Sequence, residues 1–377
     1  MTAPEFRAYE YLNVPQALEG GADATDTSGG PMNRHFMNRH FITAAGALAL
    51  AVCCSTAQAQ DKPVNLRLSY WVPPKHMLTV GYKDWAEHLK KASNGTITLT
   101  LFPSSQLGSG RDHYDMVKRG TADIGYVNPG YTPGRFPVIG ALELPFIVAD
   151  PLAGAKSMTR FYMPYAAKEM PDVKVCHVFS TPTSTFHGVK PIKLPQDVKG
   201  MRVRAGNATM SAMITLLGGS PVQVPIMEAY ETLNRGITQA ITAAWGGMVT
   251  FNFGKVVHHH LDMPFYVSAF VDAVNINAYN KLSATQKKVF DETCTPEWSA
   301  RIYKPWHDQE AGIYATLLKD KNRTIYKVGP QDTAAWRKAA EPLYKKWAGT
   351  IAEKGGNAEE ILANLRNELK KDGALYE

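Results

Sequence analysis

The chain has 377 residues, 45% of them hydrophobic and 20% charged, with 41 Lys and Arg against 34 Asp and Glu and a formal charge of +7. That composition excludes collagen-like, coiled-coil and disordered classes. The basic residues are scattered, with no long basic run and no nucleic-acid-binding motif, so small anions or a membrane partner fit the charge better than DNA or RNA.

Residues 37–59 read as a secretory signal peptide, with a basic start at Met37-Asn38-Arg39-His40, an apolar run over 41–52 and a small-x-small site at Ala57-Gln58-Ala59. The apolar run is shorter than the roughly 20 residues a bilayer span needs. The mature chain is expected to begin near Gln60 and to be exported to the periplasm. Residues 1–31 lack apolar periodicity and read as a misassigned start ahead of Met32 or Met37, or else as a disordered cytoplasmic extension. Cys53 and Cys54 invite a lipoprotein reading, but Val52 stands where lipid attachment needs Gly, Ala or Ser. Cys176 and Cys294 then remain, either joined in an oxidising compartment or buried as two apolar thiols.

Within the mature chain, which is long enough for two domains, residues 64–72 alternate as a strand and 77–92 repeat apolar positions at helical spacing. Residues 96–102 form a second strand, 112–119 a short helix closed by Gly120, and 122–127 a third strand. This βαβαβ order implies parallel pairing with right-handed crossovers, and ligand sites beyond the carboxyl ends of the strands, here at 71–76 and 126–131. A helical stretch at 151–169 precedes a second α/β set. It has strands at 173–180 and 201–204, a helix at 208–217, a strand at 220–224, a helix at 226–235 and a strand at 237–243. A long strand at 267–278 and helices at 283–318 and 331–351 follow, and read as segments crossing between the two domains.

Arg204 closes the strand-like run from Met201, just before a helix that Asn207 can cap and Gly218-Gly219 can end. Its planar fork of donors matches a carboxylate, and a helix N-terminus adds free N–H groups. An arginine at a strand end is also an ordinary surface ion-pair partner. Spacing alone does not choose between these.

Four stretches in order resemble the DctP family, the solute-binding proteins of tripartite ATP-independent periplasmic (TRAP) transporters. They are Leu66-Arg67-Leu68-Ser69-Tyr70-Trp71; residues 98–102 with Pro103 and Gln106-Leu107-Gly108; Gly120-Thr121-Ala122-Asp123-Ile124 with Glu143-Leu144-Pro145-Phe146; and Asp197-Val198-Lys199-Gly200-Met201-Arg202-Val203-Arg204 with Gly218-Gly219 and Pro221. The resemblance runs from about residue 64 to the last helices. It implies an α/β fold of the two-domain periplasmic-binding type, with central mixed sheets, crossing strands, a long connecting helix and the ligand in the interdomain cleft. On this sequence, residues 1–59 are the upstream extension and signal, 60–181 and 271–306 make one domain, and 182–270 and 307–377 the other. The family's carboxylate-clamping arginine falls on Arg204. Where the family often has Pro next, this chain has Ala205-Gly206, and its usual Asp-Gly-x-Glu-Asn run is replaced by Gln239-Ala240-Ile241-Thr242-Ala243. These departures argue against the sialate and C4-dicarboxylate ligands familiar in the family.

Other candidates surround that arginine. Trp71, Tyr126, Asn128, Tyr131 and Phe186 lie at expected strand ends or loops facing the cleft, while Trp245 stands among small residues, where a ring either stacks on ligand or fills the core. His76 either donates to ligand or caps the first helix. The adjacent side chains of His258-His259-His260 do not converge on one ion, and no acidic or Cys partner stands at a metal-site offset. Gly108-Ser109-Gly110 falls short of a phosphate loop, and no Ser-His-Asp set or acid–base pair can be assigned. No metal, cofactor or enzyme activity is therefore expected. The resulting reading is a periplasmic receptor that captures a small organic acid, aromatic or branched, by hinge closure and delivers it to TRAP membrane subunits of the DctQ and DctM type. Its rivals are a ligand sensor of the same fold feeding a regulatory partner, and a secreted enzyme acting on a small acid. Neighbouring genes for membrane subunits would separate the first, and a turnover assay the second.

Overall fold

The computed structural model describes residues 61–376. The signal peptide, the segment before it and Cys53-Cys54 lie outside the described residues.

The chain opens with β1 (Val64–Ser69), α1 (Leu78–Ala92), β2 (Ile97–Phe102), α2 (His113–Arg119) and β3 (Ile124–Val127). Alternation in β1 buries Leu66 and Leu68. In α1, Leu78, Tyr82, Trp85 and Leu89 share one buried stripe, as an amphipathic helix requires. Gly120, at a φ of 76°, supplies the left-handed residue that stops α2. α3 (Pro151–Glu169) starts on Pro151 and is capped by Asp150, whose carboxylate accepts from the Leu152 and Ala153 amides.

Next come β4 (Val173–Ser180), β5 (Ser184–Gly188), β6 (Arg202–Arg204), α4 (Ala208–Leu216), β7 (Ser220–Val222), α5 (Ile226–Asn234), β8 (Ala240–Ala244), α6 (Gly247–Thr250), β9 (His259–Asp262) and β10 (Ala269–Asn275). The chain closes with α7 (Ile276–Asn280), α8 (Ala284–Asp291), α9 (Pro296–Leu317), β11 (Thr324–Lys327), α10 (Pro330–Glu353) and α11 (Ala358–Lys371).

Two mixed sheets result, ordered β2-β1-β3-β10-β4 and β11-β9-β5-β8-β6-β7. In the first, β1 runs parallel to β2 and β3, and β10 is antiparallel to both its neighbours. In the second, β6 is parallel to β7 and β8 while β5 is antiparallel to β8 and β9. The chain passes between the sheets at residues 181–183 and returns at 263–268. These two crossings are hydrogen-bonded to each other, Thr181 N–H to Ser268 O at 2.9 Å and Ser184 N–H to Tyr266 O at 2.7 Å. α9 crosses again. Its Trp298, Ile302, Tyr303 and Trp306 pack in the core with β1 and α1, and its Leu317 packs in a separate core with Ile241, Trp245 and Met248. α11 folds back on α3, where Arg160 pairs with Glu368 and Asp372.

Several expectations change in detail. The strand read over 267–278 ends at Asn275, because that side chain accepts from the Ala278 amide and starts α7, while donating to Val117 O. The helix read over 283–318 is two helices, restarted by the Thr295 cap and Pro296. Immediately before that restart, Cys294 forms a disulfide with Cys176 of β4, which decides between the two readings of these cysteines. β5, β9, β11, α6, α7 and α11 are additional to the elements read from sequence. Among the described residues, no helix is long and apolar enough to cross a membrane.

Candidate ligand-binding site

A cavity with about 580 Å³ of atom-free space, mouth included, lies where strand ends of both sheets meet the crossing segments. Trp71 and Val72 follow β1, Asn128 and Tyr131 follow β3, Arg204 ends β6, and residues 242–244 end β8. Thr181, Ser184, Tyr266 and Ser268 of the crossings form its back, and Trp306 and Glu310 of α9 close it.

Arg204 is only 2% exposed. Its Nε and Nη2 donate to Val224 O at 3.1 and 2.9 Å, and no carboxylate among the described residues pairs with it. A buried cation without a counter-ion is costly. With one edge of the fork held by a carbonyl, Nη1 and the second Nη2 hydrogen remain to grip an anion end-on. The local sequence fixes this position. Asn207 caps α4 by accepting from Met210 N–H at 2.8 Å, and its amide donates to Ser268 Oγ at 3.1 Å.

His76 does two things at once. Its Nδ1 accepts from the Leu78 amide at 3.1 Å at the start of α1, so the ring proton sits on Nε2, and the ring lies against Trp306 in the cavity wall. Burial lowers its pKa to about 3, so the ring is a neutral donor. Glu310 lies in the same wall, accepts from the Gly246 amide at 2.9 Å, and has its pKa raised to about 7 by burial, against the opposing pull of the Gly246 and Trp245 amides. Tyr266 Oη donates to Thr242 Oγ1 at 2.9 Å, and burial pushes its pKa up to about 12.

The structure thus brings Arg204, Trp71, His76, Asn128 and Tyr131 to one cavity. The other three candidates lie elsewhere. Tyr126 is fully buried behind the wall, stacked on Trp71 with ring centroids 5.0 Å apart. Phe186 points into the core against Phe265 and Trp336. Trp245 packs on His187, His260 and Tyr314, away from the lining formed by its neighbours Ala244 and Gly246. Sequence reasoning missed Phe251, Phe270, Trp306, Tyr266 and Glu310 in the lining. Periodicity reads most of these as core positions, and only the crossing topology turns them toward the cleft. In the His258-His259-His260 run, His260 meets His187 at 2.8 Å while His259 stacks on Tyr326, so adjacent rings diverge along β9. Among the described residues, no three His, Cys, Asp or Glu side chains gather as a metal site.

Residues 68–350 match the DctP family, described as bacterial extracellular solute-binding protein family 7. The chain belongs to the DctP family. It is a solute-binding receptor, and known relatives cover most of its length. The outer membrane transporter protein TsaT of Comamonas testosteroni is 25% identical over 86% of this chain and 96% of its own. The 2,3-diketo-L-gulonate-binding periplasmic protein YiaO of Escherichia coli K12 is 24% identical over 74% and 81%. Among solved structures, a TRAP solute-binding protein of Rhodoferax ferrireducens T118 in complex with copurified benzoate superposes with a TM-score of 0.77, at 24% identity over 82% of this chain and 98% of its own. A marine-metagenome TRAP solute-binding protein described as specific for aromatic acid ligands, in complex with 3-hydroxybenzoate, gives 0.77 at 26% identity over 82% and 99%.

At Gly206 a Cβ would lie 2.3 Å from Tyr266 Oη, so a larger residue there would displace that hydroxyl from the cavity wall. Ala243 stands in place of the usual asparagine and leaves that part of the wall to a methyl group.

Proposed function

We propose that this protein is a periplasmic receptor for a small organic carboxylate, an aromatic monocarboxylate above all, and that it hands its ligand to TRAP membrane subunits. The observation that carries the reading is Arg204, a buried cation with no carboxylate partner among the described residues, set in a wall made mainly of rings and small side chains together with His76, Asn128 and the Glu310 carboxyl, which the Gly246 amide holds. One negative charge on the ligand completes the guanidinium end-on. The rest of the ligand meets Trp71, Phe251, Phe270 and Trp306, which favour a flat apolar body over a second charge or a polyol. The 26% identical relative specific for aromatic acids supports the same ligand class.

Mechanism follows from where the groups stand. Arg204 belongs to the second sheet, while Trp71, His76 and Asn128 belong to segments of the first, so a ligand touching both favours the closed arrangement. In this reading, residues 60–181 and 271–306 move against 182–270 and 307–377, with α11 returning to pack on α3. Moving such an equilibrium from mostly open to mostly closed takes about 5.5 kcal/mol of differential affinity, within reach of a desolvated charge clamp plus ring contacts. Thermal shift across aliphatic, hydroxy-, keto- and aromatic carboxylates tests the reading, since binding raises native stability by mass action. The expected result is a large shift with aromatic monocarboxylates. Shifts with neutral sugars alone would overturn it.

A further inference from the structure

Tyr131 enters the sequence reading as a ligand contact, yet its hydroxyl is already engaged. It accepts from the Ile226 amide at 3.1 Å. Ile226 begins α5 and belongs to the second-sheet side, whereas Tyr131 follows β3 of the first. Two more bonds cross in the same place. Gln223 Nε2 donates to Gly130 O at 2.9 Å, and Arg111 Nη2 donates to Gln223 O. All three land on residues 223–226, and the residue between them, Val224, carries the carbonyl that holds Nε and Nη2 of Arg204. On its other side this segment is tied to the arginine's own strand, through the parallel pairing of Arg204 with Val222 and the Ala205 amide donating to Val222 O.

We propose that Tyr131 and Gln223 are positioning residues for Arg204. Tyr131 from across the cleft, and Gln223 by its bond to Gly130 O on that opposite wall, fix the Val224 carbonyl and through it aim the free end of the guanidinium. The 223–226 segment is then a strap shared by the anion clamp and the opposite wall. Closing the cleft completes Arg204's orientation, and a ligand held by Arg204 stabilises closure even where it makes no contact with the opposite wall. This rests on the carboxylate-receptor reading for its ligand half only, because the cross-cleft bonds join protein groups alone.

The test has a ligand-free arm and a ligand arm. Fluorescence energy transfer between dyes on non-canonical residues replacing exposed Lys91 and Arg235, one on each side of the cleft, reports the closed fraction of the unliganded protein. Y131F and Q223A each remove one cross-cleft hydrogen bond and are expected to lower the closed-to-open ratio about fivefold, the population equivalent of one such bond's net worth. An unchanged ratio in both variants overturns the strap. With benzoate as probe, Y131F should raise the dissociation rate with the association rate unchanged. The same substitution should add little in an Arg204→Lys background, where a single ammonium cannot hold Val224 O and a carboxylate as the fork does. Full additivity of the two substitutions overturns the coupling to Arg204. Failure of the wild type to bind benzoate counts against the aromatic-carboxylate reading alone, and the ligand-free arm still decides the strap.

Discussion

Arg204 combines a strand-end position, almost complete burial and a half-occupied donor fork. Removing it leaves a bound carboxylate desolvated without a partner. Calorimetric titration of Arg204→Ala with an aromatic carboxylate should therefore show a loss of about 3 kcal/mol or more, and affinity within tenfold of wild type would refute the clamp. Glu143 presents the opposite case, a buried carboxyl that accepts from Ala269 N–H at 3.1 Å and Thr209 Oγ1 at 3.2 Å, with its pKa raised to about 8 by burial. Between the ordinary carboxylate range near 4.5 and pH 8, the native state keeps a proton that the unfolded state has released, so stability falls as pH rises through that window. In Glu143→Gln the urea midpoint should fall less steeply across the same window, with Glu310, raised to about 7, still contributing below that pH, and an unaltered slope would assign the pH dependence to other groups. At this scale the sequence was readable where backbone rules place a side chain. Residues 71, 76, 128, 131 and 204 follow strand ends or precede helices, and share the cavity. Trp245 and Phe186 could not be read the same way, because the direction of a ring on or next to a strand depends on register, which one sequence does not specify.

Most elements were legible because their signals are local. The β-α-β run from β1 to β3, the capped start of α3 and the glycine stop of α2 all lie within a few residues of their predicted bounds. The unread strands lack such signals, unlike α11, whose Asn357 cap and buried Ile361, Leu365 and Leu369 stripe stand in the sequence. β5 is five residues of mixed polarity, while β9 and β11 are four each, held by partners far away in sequence. The Cys176–Cys294 disulfide is likewise a product of packing, joining β4 to the residue before the α9 cap across a separation of 118 residues. Beside it, His177 donates to Thr293 O and meets Asp272, which also accepts from Tyr82 Oη, so the bridge reinforces a buried polar network in the first sheet. Cross-linking so long a loop is worth about 5 kcal/mol in the chain-entropy account. Calorimetric unfolding of Cys176→Ala/Cys294→Ala should reveal a loss of that order, and an unchanged melting temperature would show that the polar network suffices without the bond.

At the scale of the whole molecule, two sheets contribute strand ends to one cavity, and the chain crosses between them at 181–183, at 263–268 and along α9. The crossings themselves form the back of the cavity through Thr181, Ser184, Tyr266 and Ser268, so the connections between the sheets and the cavity share residues. That arrangement explains why the lining residues missing from the sequence reading come from β10, α6 and α9 or their flanks. It also leaves Arg204 as the one cation among the described residues of the cavity lining. The most direct measurement is a pair of calorimetric titrations of the wild-type protein, one with benzoate and one with its neutral isostere benzamide. The account predicts saturable benzoate binding and at least a hundredfold weaker benzamide binding, the ratio for losing a charge-assisted contact worth about 3 kcal/mol. Equal affinity for the two would show that the rings alone select the ligand, and would contradict the carboxylate clamp at Arg204.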